Sequence, residues 1–361
     1  MSVLTVPPGG PAAAPRASSR RVAVVGLGRA GVAHAVMLGH IPGCELAAVA
    51  DPRASARAAL RGMGFAVPAF ARVESLLEKS RPDAVFVCAA QHERARVAQI
   101  ALEAGIPTLI ERPMARTLAE AEALVRLAAE RRTLLAVGHP LAFEPIFARV
   151  HELVREGVLG PVQHARSAMF VSRVFAPRPR RGRLDPRRVA GGVVAHLGSD
   201  LLFVLVRMLG MPAELRADWS LLYGAVEDEL HGMMTLADGT EVGFDCSWSV
   251  PGYARASTGI ELDGPGGKLL ASDEALELDL ARAGAGHPAG YSRLRDADFA
   301  APARFDLGGE TLWSHDAAFL DWTSGGPAPP NEASAALDTH RVMDALYRSA
   351  GAGGITVKVA P

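Results

Sequence analysis

Residues 21–31 read RVAVVGLGRAG, a short β-branched run that leads directly into three glycines. Gly26, Gly28 and Gly31 have G-x-G-x-x-G spacing, and a helical pattern follows them. Such a turn between a buried strand and a helix is typical of a dinucleotide-binding fold. The first glycine makes the tight turn, the second lets the backbone approach a pyrophosphate, and the third lets helix and strand pack closely. The alternative interpretation is a glycine turn that binds nothing.

The expected coenzyme site runs from this turn to the end of the second predicted strand. A helix N-terminus offers free N–H groups to an anion, and the residues that share it are Leu27, Arg29 and Ala30. Asp51 ends the second strand and can accept hydrogen bonds from ribose hydroxyls, which slightly favours NAD over NADP. Arg53, after Pro52, can turn to a 2′-phosphate, so both coenzymes remain candidates. Asp51 can also cap the next helix.

Strand and helix patterns alternate over residues 21–141, which predicts a parallel sheet covered by helices on both faces. Over residues 142–361, a helix precedes strand-like segments separated by DG and GG turns, which predicts a large, mainly antiparallel sheet. We therefore expect an α/β protein with an N-terminal Rossmann domain and a C-terminal α/β domain that binds substrate. A closing helix over residues 331–350 could pack back on the first domain. Residues 282–312 are expected to form a loop and residues 1–20 a disordered tail.

Composition narrows the class of protein. With 361 residues the chain is long enough for two domains. Its net charge of −1 gives no basic field for nucleic acid or anionic lipid, and no apolar run is long enough to span a bilayer. Three widely spaced cysteines argue against a disulfide framework or a zinc site. We expect a cytoplasmic protein that acts on a small molecule and binds neither nucleic acid, membrane nor metal.

Two further segments carry candidate catalytic groups. Glu111, Arg112 and Pro113 follow a predicted strand, at the edge where such sheets bind ligands; the alternative is a surface ion pair at a turn. His196 and Asp200 lie four residues apart in GGVVAHLGSD and so share a helix face. A histidine suits general acid–base chemistry near neutral pH, and an aspartate can orient it. The alternative is a His–Asp hydrogen bond within the core.

Several of these segments together resemble one family. They are VVGLGRAG, VAD, ALEAGIPTLIERPMA, VGHPLAFEP, REGVLGPV, LDPRRVAGGVVAHLGSD and ALYRSAGAGGITVKV. The chain resembles the glucose–fructose oxidoreductase, inositol dehydrogenase and MocA (Gfo/Idh/MocA) family from about Arg21 to its end. The resemblance implies oxidation or reduction of sugars, cyclitols and related molecules with NAD(H) or NADP(H). It also implies a homodimer or homotetramer joined through the open sheet.

The chain departs from the family pattern where chemistry is expected. Arg112 replaces the family lysine, and the family order of Asp-x-x-x-His is reversed in His196 and Asp200. Arginine stabilises a developing alkoxide but does not release its proton. We therefore expect His196 to exchange the substrate proton, Asp200 to orient His196, Arg112 to stabilise charge and Glu111 to fix Arg112.

Other departures concern the pocket walls. Ala89 and Ala90 replace the family Thr-Pro, and Arg94 stands where the family often has histidine. Further coenzyme contacts are expected from Ala89, Ala90, His92, Glu111, Arg112 and Pro113; the alternative for His92 is that it only begins the next helix. Pro140 and Ala142 replace polar family residues beside His139. Residues 173–188 contain seven arginines that could bind an anionic group or form a solvated arm. The expected substrate contacts are Arg112, His139, Arg183, His196, Asp200 and Tyr253.

These residues predict an NAD(P)-dependent dehydrogenase or reductase that moves a hydride between nicotinamide and a carbinol or carbonyl carbon. The expected substrate is a sugar, sugar nucleotide or cyclitol. One alternative is a reductase of imines or other non-sugar compounds in specialised metabolism. A second alternative is a non-catalytic regulator that senses the dinucleotide, because the family lysine is absent.

Overall fold

The first sheet has six parallel strands in the order β3-β2-β1-β4-β5-β6. The glycine turn directly follows β1, which lies in the middle of this sheet. The structure is a computed structural model that describes residues 19–175, 185–299 and 309–360, except for the side chain of Asp296. The strands are β1 (Arg20–Val25), β2 (Cys44–Ala50), β3 (Ala69–Phe70), β4 (Ala84–Val87), β5 (Thr108–Glu111) and β6 (Leu135–Gly138). The connecting helices are α1 (Arg29–Leu38), α2 (Ala54–Gly62), α3 (Val73–Ser80), α4 (Gln91–Glu103) and α5 (Leu118–Arg131).

This sheet forms because its strands are apolar on both faces. All four residues of β4 are buried, as parallel strands covered by helices on both sides require. The strand order reverses between β1 and β4, so the chain opens a crevice at the carboxyl ends of these strands. The first turns of α1 and α4 and the residues after β5 and β6 meet at that edge.

A second, nine-stranded sheet has the order β14-β13-β12-β11-β7-β10-β9-β8-β15. Neighbouring strands in this sheet pair antiparallel, except that β7 and β10 pair parallel to each other. Its strands are β7 (His164–Phe170), β8 (Pro212–Ser220), β9 (Glu229–Leu236), β10 (Glu241–Ser247), β11 (Ser257–Gly264), β12 (Gly267–Ser272), β13 (Ala275–Leu280), β14 (Gly290–Arg295) and β15 (Val357–Lys358). The remaining α-helices of the described chain are α6 (Pro145–Arg155), α7 (Ser199–Leu209), α8 (Glu310–Trp322) and α9 (Ala333–Gly351).

Helices α6, α7 and α9 cover one face of the second sheet. Val150, Leu201 and Phe244 are fully buried in the core between these helices and the strands. On the other face, exposed groups pair across strands, including His231 with Asp245 at 2.6 Å and Lys268 with Glu261. The predicted α/β fold with a Rossmann sheet and a large, mainly antiparallel open sheet is confirmed.

Helices α8 and α9 return to the first sheet. Helix α8 packs on α1, and α9 packs on α5 as well as on α7 and β8. The side chain of Asn331 donates to the carbonyl oxygen of Val137 on β6 at 2.6 Å. The closing helix therefore contacts elements of both sheets.

The prediction of a loop over residues 282–312 is wrong in two places. Residues Gly290–Arg295 form β14, and α8 begins at Glu310. Strand β14 is an edge strand with alternating half-buried and exposed residues, so it lacks the apolar run used to recognise strands. Residues 300–308 lie outside the described part of the chain. Residues 1–18 of the predicted tail also lie outside it, and Arg20 already belongs to β1.

Within the described ranges, no helix has both the length and the apolar character that a membrane span needs.

The glycine turn gives a direct test of the packing. A Cβ atom on Gly31 would lie 1.8 Å from the carbonyl oxygen of Gly26, whereas one on Gly28 would meet no atom within 4 Å. We expect Gly31→Ala to lower the free energy of unfolding by more than about 2 kcal/mol because the backbone must shift. Gly28→Ala should cost less than about 1 kcal/mol. Urea denaturation measures both, and equal losses would contradict the close packing of α1 on the turn.

Candidate active site

The N-terminus of α1 fits a pyrophosphate. Gly26 has φ of +96°, a conformation suited to glycine, and a Cβ atom there would lie 2.5 Å from the backbone of Cys88. Gly28 precedes α1, and no side chain of the described residues caps that helix. The first turn of α1 also contains no acidic residue. Since the space beside Gly28 is open and the helix N–H groups are uncapped, this segment fits an anion of a dinucleotide.

Asp51 lies at the end of β2 with both carboxylate oxygens occupied. Its Oδ1 accepts from the backbone N–H and the Nε of Arg53 at 2.8 and 3.0 Å, and its Oδ2 from Leu27 N at 2.7 Å and Arg53 Nη2 at 2.9 Å. Burial would raise the pKa of Asp51, but these hydrogen bonds outweigh it and lower the pKa. A carboxylate accepts about four hydrogen bonds, so a ribose hydroxyl must displace one of these donors.

Residues 111–113 lie at the carboxyl end of β5, where the Arg112–Pro113 peptide bond is cis. Arg94, buried in α4, donates from Nη1 to the carbonyl oxygens of Arg112 and Pro113 at 2.7 and 2.8 Å. Burial lowers the pKa of Arg94. This arginine therefore has a structural role at the backbone, which its position in the sequence did not predict.

Arg112 connects the two sheets. Its Nη2 lies 3.2 Å from Asp200 Oδ2 in α7, and its Nη1 donates to the carbonyl oxygen of His196 at 3.1 Å. The Oδ1 of Asp200 lies 3.4 Å from Nδ1 of His139, which follows β6. Burial lowers the pKa of His139 although Asp200 opposes this, and the ring stacks on Phe203 with centroids 4.3 Å apart. Asp200 is thus a buried partner of Arg112 and His139.

His196 has a different environment from the one predicted. It lies in a π-helical turn, Val194–Gly198, directly before α7. Nε2 of Gln91 lies 3.4 and 3.5 Å from its two ring nitrogens, and Oε1 of Gln91 accepts from Ala190 N at 2.7 Å. The expected pairing of His196 with Asp200 is therefore wrong. The spacing places both on one helix, but Arg112 carries a full charge and draws the carboxylate toward the first sheet.

Glu111 is also oriented differently than expected. Its Oε1 lies 3.1 Å from Nε2 of His34 in α1, so the predicted contact with Arg112 is replaced by one with His34. Burial would raise the pKa of Glu111, but His34, Arg112 and Arg94 lower it to about 2. Nδ1 of His34 lies 2.8 Å from Oδ2 of Asp316 in α8. Burial opposes charge on His34, but both carboxylates outweigh it and raise its pKa to about 10.

The glycine pair before His196 is held by Glu227. This buried carboxylate accepts from the N–H groups of Gly192 and Val194 at 2.7 and 3.2 Å and from the hydroxyl of Tyr347 at 2.8 Å. A Cβ atom on Gly192 would lie 2.0 Å from the carbonyl oxygen of Glu227. Burial raises the pKa of Glu227. The glycines therefore allow the segment that carries His196 to approach this residue closely.

The structure gives the positions of most of the other predicted site residues. Ala89 is buried, Ala90 precedes α4, and His92 lies half-buried in its first turn. Tyr253 packs on Phe170 with centroids 5.5 Å apart, and its backbone N–H donates to Ser172. Arg183 lies outside the described residues, so the role predicted for it stays a prediction.

Trp248 packs beside His196, a neighbour that the sequence did not predict. It is buried, its ring centroid lies 6.1 Å from that of His196, and the guanidinium of Arg173 lies 6.0 Å from its centroid. Its Nε1 donates to Asp228 at 2.6 Å. No distinctive spacing in the sequence marks Gln91 or Trp248 as site residues. His34 could have been noticed, because it is a histidine three residues after Gly31 on a helix face expected to be buried.

Comparisons with known proteins agree with this architecture. Residues 20–139 match the GFO_IDH_MocA oxidoreductase family with an NAD-binding Rossmann fold, and residues 147–270 match the GFO/IDH/MocA C-terminal domain. The UDP-N-acetylglucosamine 3-dehydrogenase of Acidithiobacillus ferrooxidans is 30% identical over 236 residues, which are 65% of this chain and 69% of that protein.

Two solved structures have the same fold. GenD2 from gentamicin A biosynthesis, in complex with NAD, is 25% identical with a TM-score of 0.80, covering 97% of this chain and 100% of that one. Levoglucosan dehydrogenase, in complex with NADH and levoglucosan, is 19% identical with a TM-score of 0.84, covering 95% of this chain and 100% of that one. The matches to both family domains, with the glycine turn and the site at the strand ends, mean that the chain belongs to the Gfo/Idh/MocA family of NAD-binding oxidoreductases and is a dehydrogenase of that family.

Proposed function

We propose that this chain transfers a hydride between NAD and a carbinol or carbonyl carbon of a sugar, sugar nucleotide or cyclitol. The observation that carries the proposal is the meeting of Arg112 and His196 at the carboxyl edge of the sheet that bears the glycine turn. Two of the similar proteins are named as dehydrogenases of UDP-N-acetylglucosamine and of levoglucosan, which supports this class of substrate. The bound coenzyme would supply nicotinamide C4 as hydride acceptor or donor.

In this proposal His196 exchanges the proton of the reacting hydroxyl group. Histidine is the side chain whose ordinary pKa suits both directions of such a transfer near neutral pH. Gln91 touches both ring nitrogens and is itself anchored to Ala190, so it limits rotation of the imidazole. It takes the orienting role first expected of Asp200.

Arg112 stabilises negative charge on the reacting oxygen by donating hydrogen bonds, as an oxyanion site does. Asp200 holds its guanidinium from one side at 3.2 Å, and the carbonyl oxygen of His196 accepts from its other terminal nitrogen. Burial lowers the pKa of His139, which favours its neutral form. Asp200 therefore balances the charge of Arg112 and not that of a protonated His139. Glu111, Arg112 and Pro113 would contact the nicotinamide end of the coenzyme, and His139 and Tyr253 would line the substrate side.

The outer face of the second sheet is the proposed surface for a homodimer or homotetramer. Leu270 is 42% exposed and Tyr291 is 64% exposed on this part of the chain. Exposed apolar side chains among charged cross-strand pairs suit contact between copies. Light scattering measures the assembly, and a monomer at micromolar concentration would contradict this proposal.

The acid–base assignment predicts the effect of His196→Ala. We expect kcat to fall at least about 100-fold, because the proton loses its acceptor, while the affinity for NADH changes little. Stopped-flow turnover on a panel of sugars, sugar nucleotides, cyclitols and cyclic imines gives kcat, and NADH fluorescence gives the affinity. His164→Ala, on β7 of the second sheet, is the matched control.

Wild-type turnover in the His196→Ala variant would reject the assignment. Turnover of imines alone would favour the reductase alternative. Tight NADH binding with no turnover on the whole panel would favour the sensing alternative.

The occupied carboxylate of Asp51 predicts coenzyme preference. A ribose diol must replace the Arg53 guanidinium, which is 62% exposed and therefore free to move outward, where it can meet a 2′-phosphate. We expect Arg53→Ala to weaken NADPH binding about tenfold and to leave NADH binding unchanged or stronger, since it frees acceptor sites. Asp51→Asn should weaken NADH more than NADPH. Calorimetric titration checks both variants, and an Arg53→Ala variant that loses NADH selectively would contradict this arrangement.

A further inference from the structure

Four titratable side chains form a buried chain beneath the proposed active site. Oε1 of Glu111 lies 3.1 Å from Nε2 of His34, whose Nδ1 lies 2.8 Å from Oδ2 of Asp316. Oδ1 of Asp316 lies 2.9 Å from Nδ1 of His315. His34, Asp316 and His315 are fully buried, and the Glu111 side chain is 19% exposed. The chain joins β5, α1 and α8, and the roles proposed above use only Glu111.

The donor count fixes the charge on His34. Both ring nitrogens face carboxylate oxygens, which accept hydrogen bonds when ionised. A neutral imidazole has one N–H, so one of these contacts would then place a lone pair against a lone pair. An imidazolium donates to both. Geometry thus requires a cation at His34 as long as both carboxylates are ionised, in agreement with the raised pKa of His34 and the lowered pKa of Glu111.

We propose that His34 is a positioning residue whose imidazolium, clamped between Glu111 and Asp316, fixes the strand end that carries Arg112 against the coenzyme-binding helix. The proposal rests on the dehydrogenase function proposed above. His34 lies three residues after Gly31 on α1, and Glu111 directly precedes Arg112. One imidazole therefore links the helix that would receive the pyrophosphate to the residue that would stabilise the reacting oxygen.

The rest of the strand end is held independently of His34. Arg94 binds the carbonyl oxygens of Arg112 and Pro113, so the backbone has an anchor of its own. The clamp therefore acts on the Glu111 side chain and on the distance between α1 and β5. Oε2 of Glu111 accepts no hydrogen bond among the described residues and lies beside Gly138.

The charged and titratable groups around the clamp come from several elements. Asp316 and His315 face it from α8, Arg94 from α4, Arg112 from the end of β5, Cys88 from the position directly after β4, and Cys44 from β2. Burial raises the pKa of both thiols, so neither carries charge near neutral pH. Without the imidazolium, two buried carboxylates would face each other, and one would bind a proton.

Three variants test the clamp. His34→Gln removes the cation and leaves both carboxylates, Asp316→Asn leaves the ion pair of His34 with Glu111, and the double variant removes the cation together with one carboxylate. We expect His34→Gln to weaken NADH binding about 10- to 100-fold at pH 7, with a larger loss as pH rises and the trapped proton leaves. Asp316→Asn should weaken it less than about threefold. The double variant also lacks the imidazolium, so it should bind NADH about as weakly as His34→Gln at pH 7, but without the further loss at high pH because only one carboxylate remains.

The ionisation of His34 is measured without coenzyme. In the intact protein with ¹⁵N-labelled histidine, one imidazole should remain doubly protonated at pH 8.5, and its signal should be absent from the double variant. The ordinary histidine pKa is 6.5 and the folded value is about 10, so the stability it contributes is present below pH 6.5 and falls as pH rises toward 10. Unfolding at pH 8.5 should therefore release about one proton more from the wild type than from the double variant.

A neutral His34 at pH 8.5, or a His34→Gln or double variant that binds NADH as tightly as the wild type, would overturn the clamp. Should His34→Gln fail to fold, the wild-type spectrum and the Asp316→Asn and double variants still decide the matter. Failure of the wild type to bind either coenzyme would instead overturn the proposed function, while the imidazole spectrum would still test the clamp.

Discussion

The approach of α1 to the glycine turn sets the position of everything at the carboxyl edge of the first sheet. Because Gly31 has no Cβ, the helix comes so close that an added carbon would lie 1.8 Å from the oxygen of Gly26. This contact places the helix N-terminus toward the crevice and places His34, one turn later, beside β5. A side chain at position 31 would move both features together, so the anion site and the buried ion pair have one geometric origin.

The second constraint is the ion pair of Arg112 with Asp200 between the two sheets. Arg112 follows a strand of the first sheet, and Asp200 lies on a helix that packs on the second. Both side chains are largely withdrawn from water, so each needs the other more than it would at the surface. The pair makes the site depend on how the two halves pack, and it leaves His196 to interact with Gln91 at the start of α4.

The sequence was sufficient for the fold, and it was insufficient for the side-chain contacts at the candidate site. The glycine spacing and the strand–helix alternation reflect local backbone rules, so β1, α1 and the parallel first sheet could be inferred. Asp200 was assigned to His196 because spacing along one helix takes no account of Arg112 from another element. Likewise, the partner of Glu111 lies 77 residues earlier, on a helix whose orientation no local pattern specifies. Strand β14 was missed because an edge strand needs no apolar face.

The buried countercharge of His34 also has a consequence for biosynthesis. Asp316 is separated from His34 by 282 residues, so the ribosome completes the whole first sheet long before α8 exists. Asn331, which binds β6, is made later still. The charge of His34 in the coenzyme-binding half therefore gains its second carboxylate partner only when Asp316 has been synthesised. The full set of partners of His34 therefore exists only after Asp316 has been synthesised, although His34 and Glu111 are translated first.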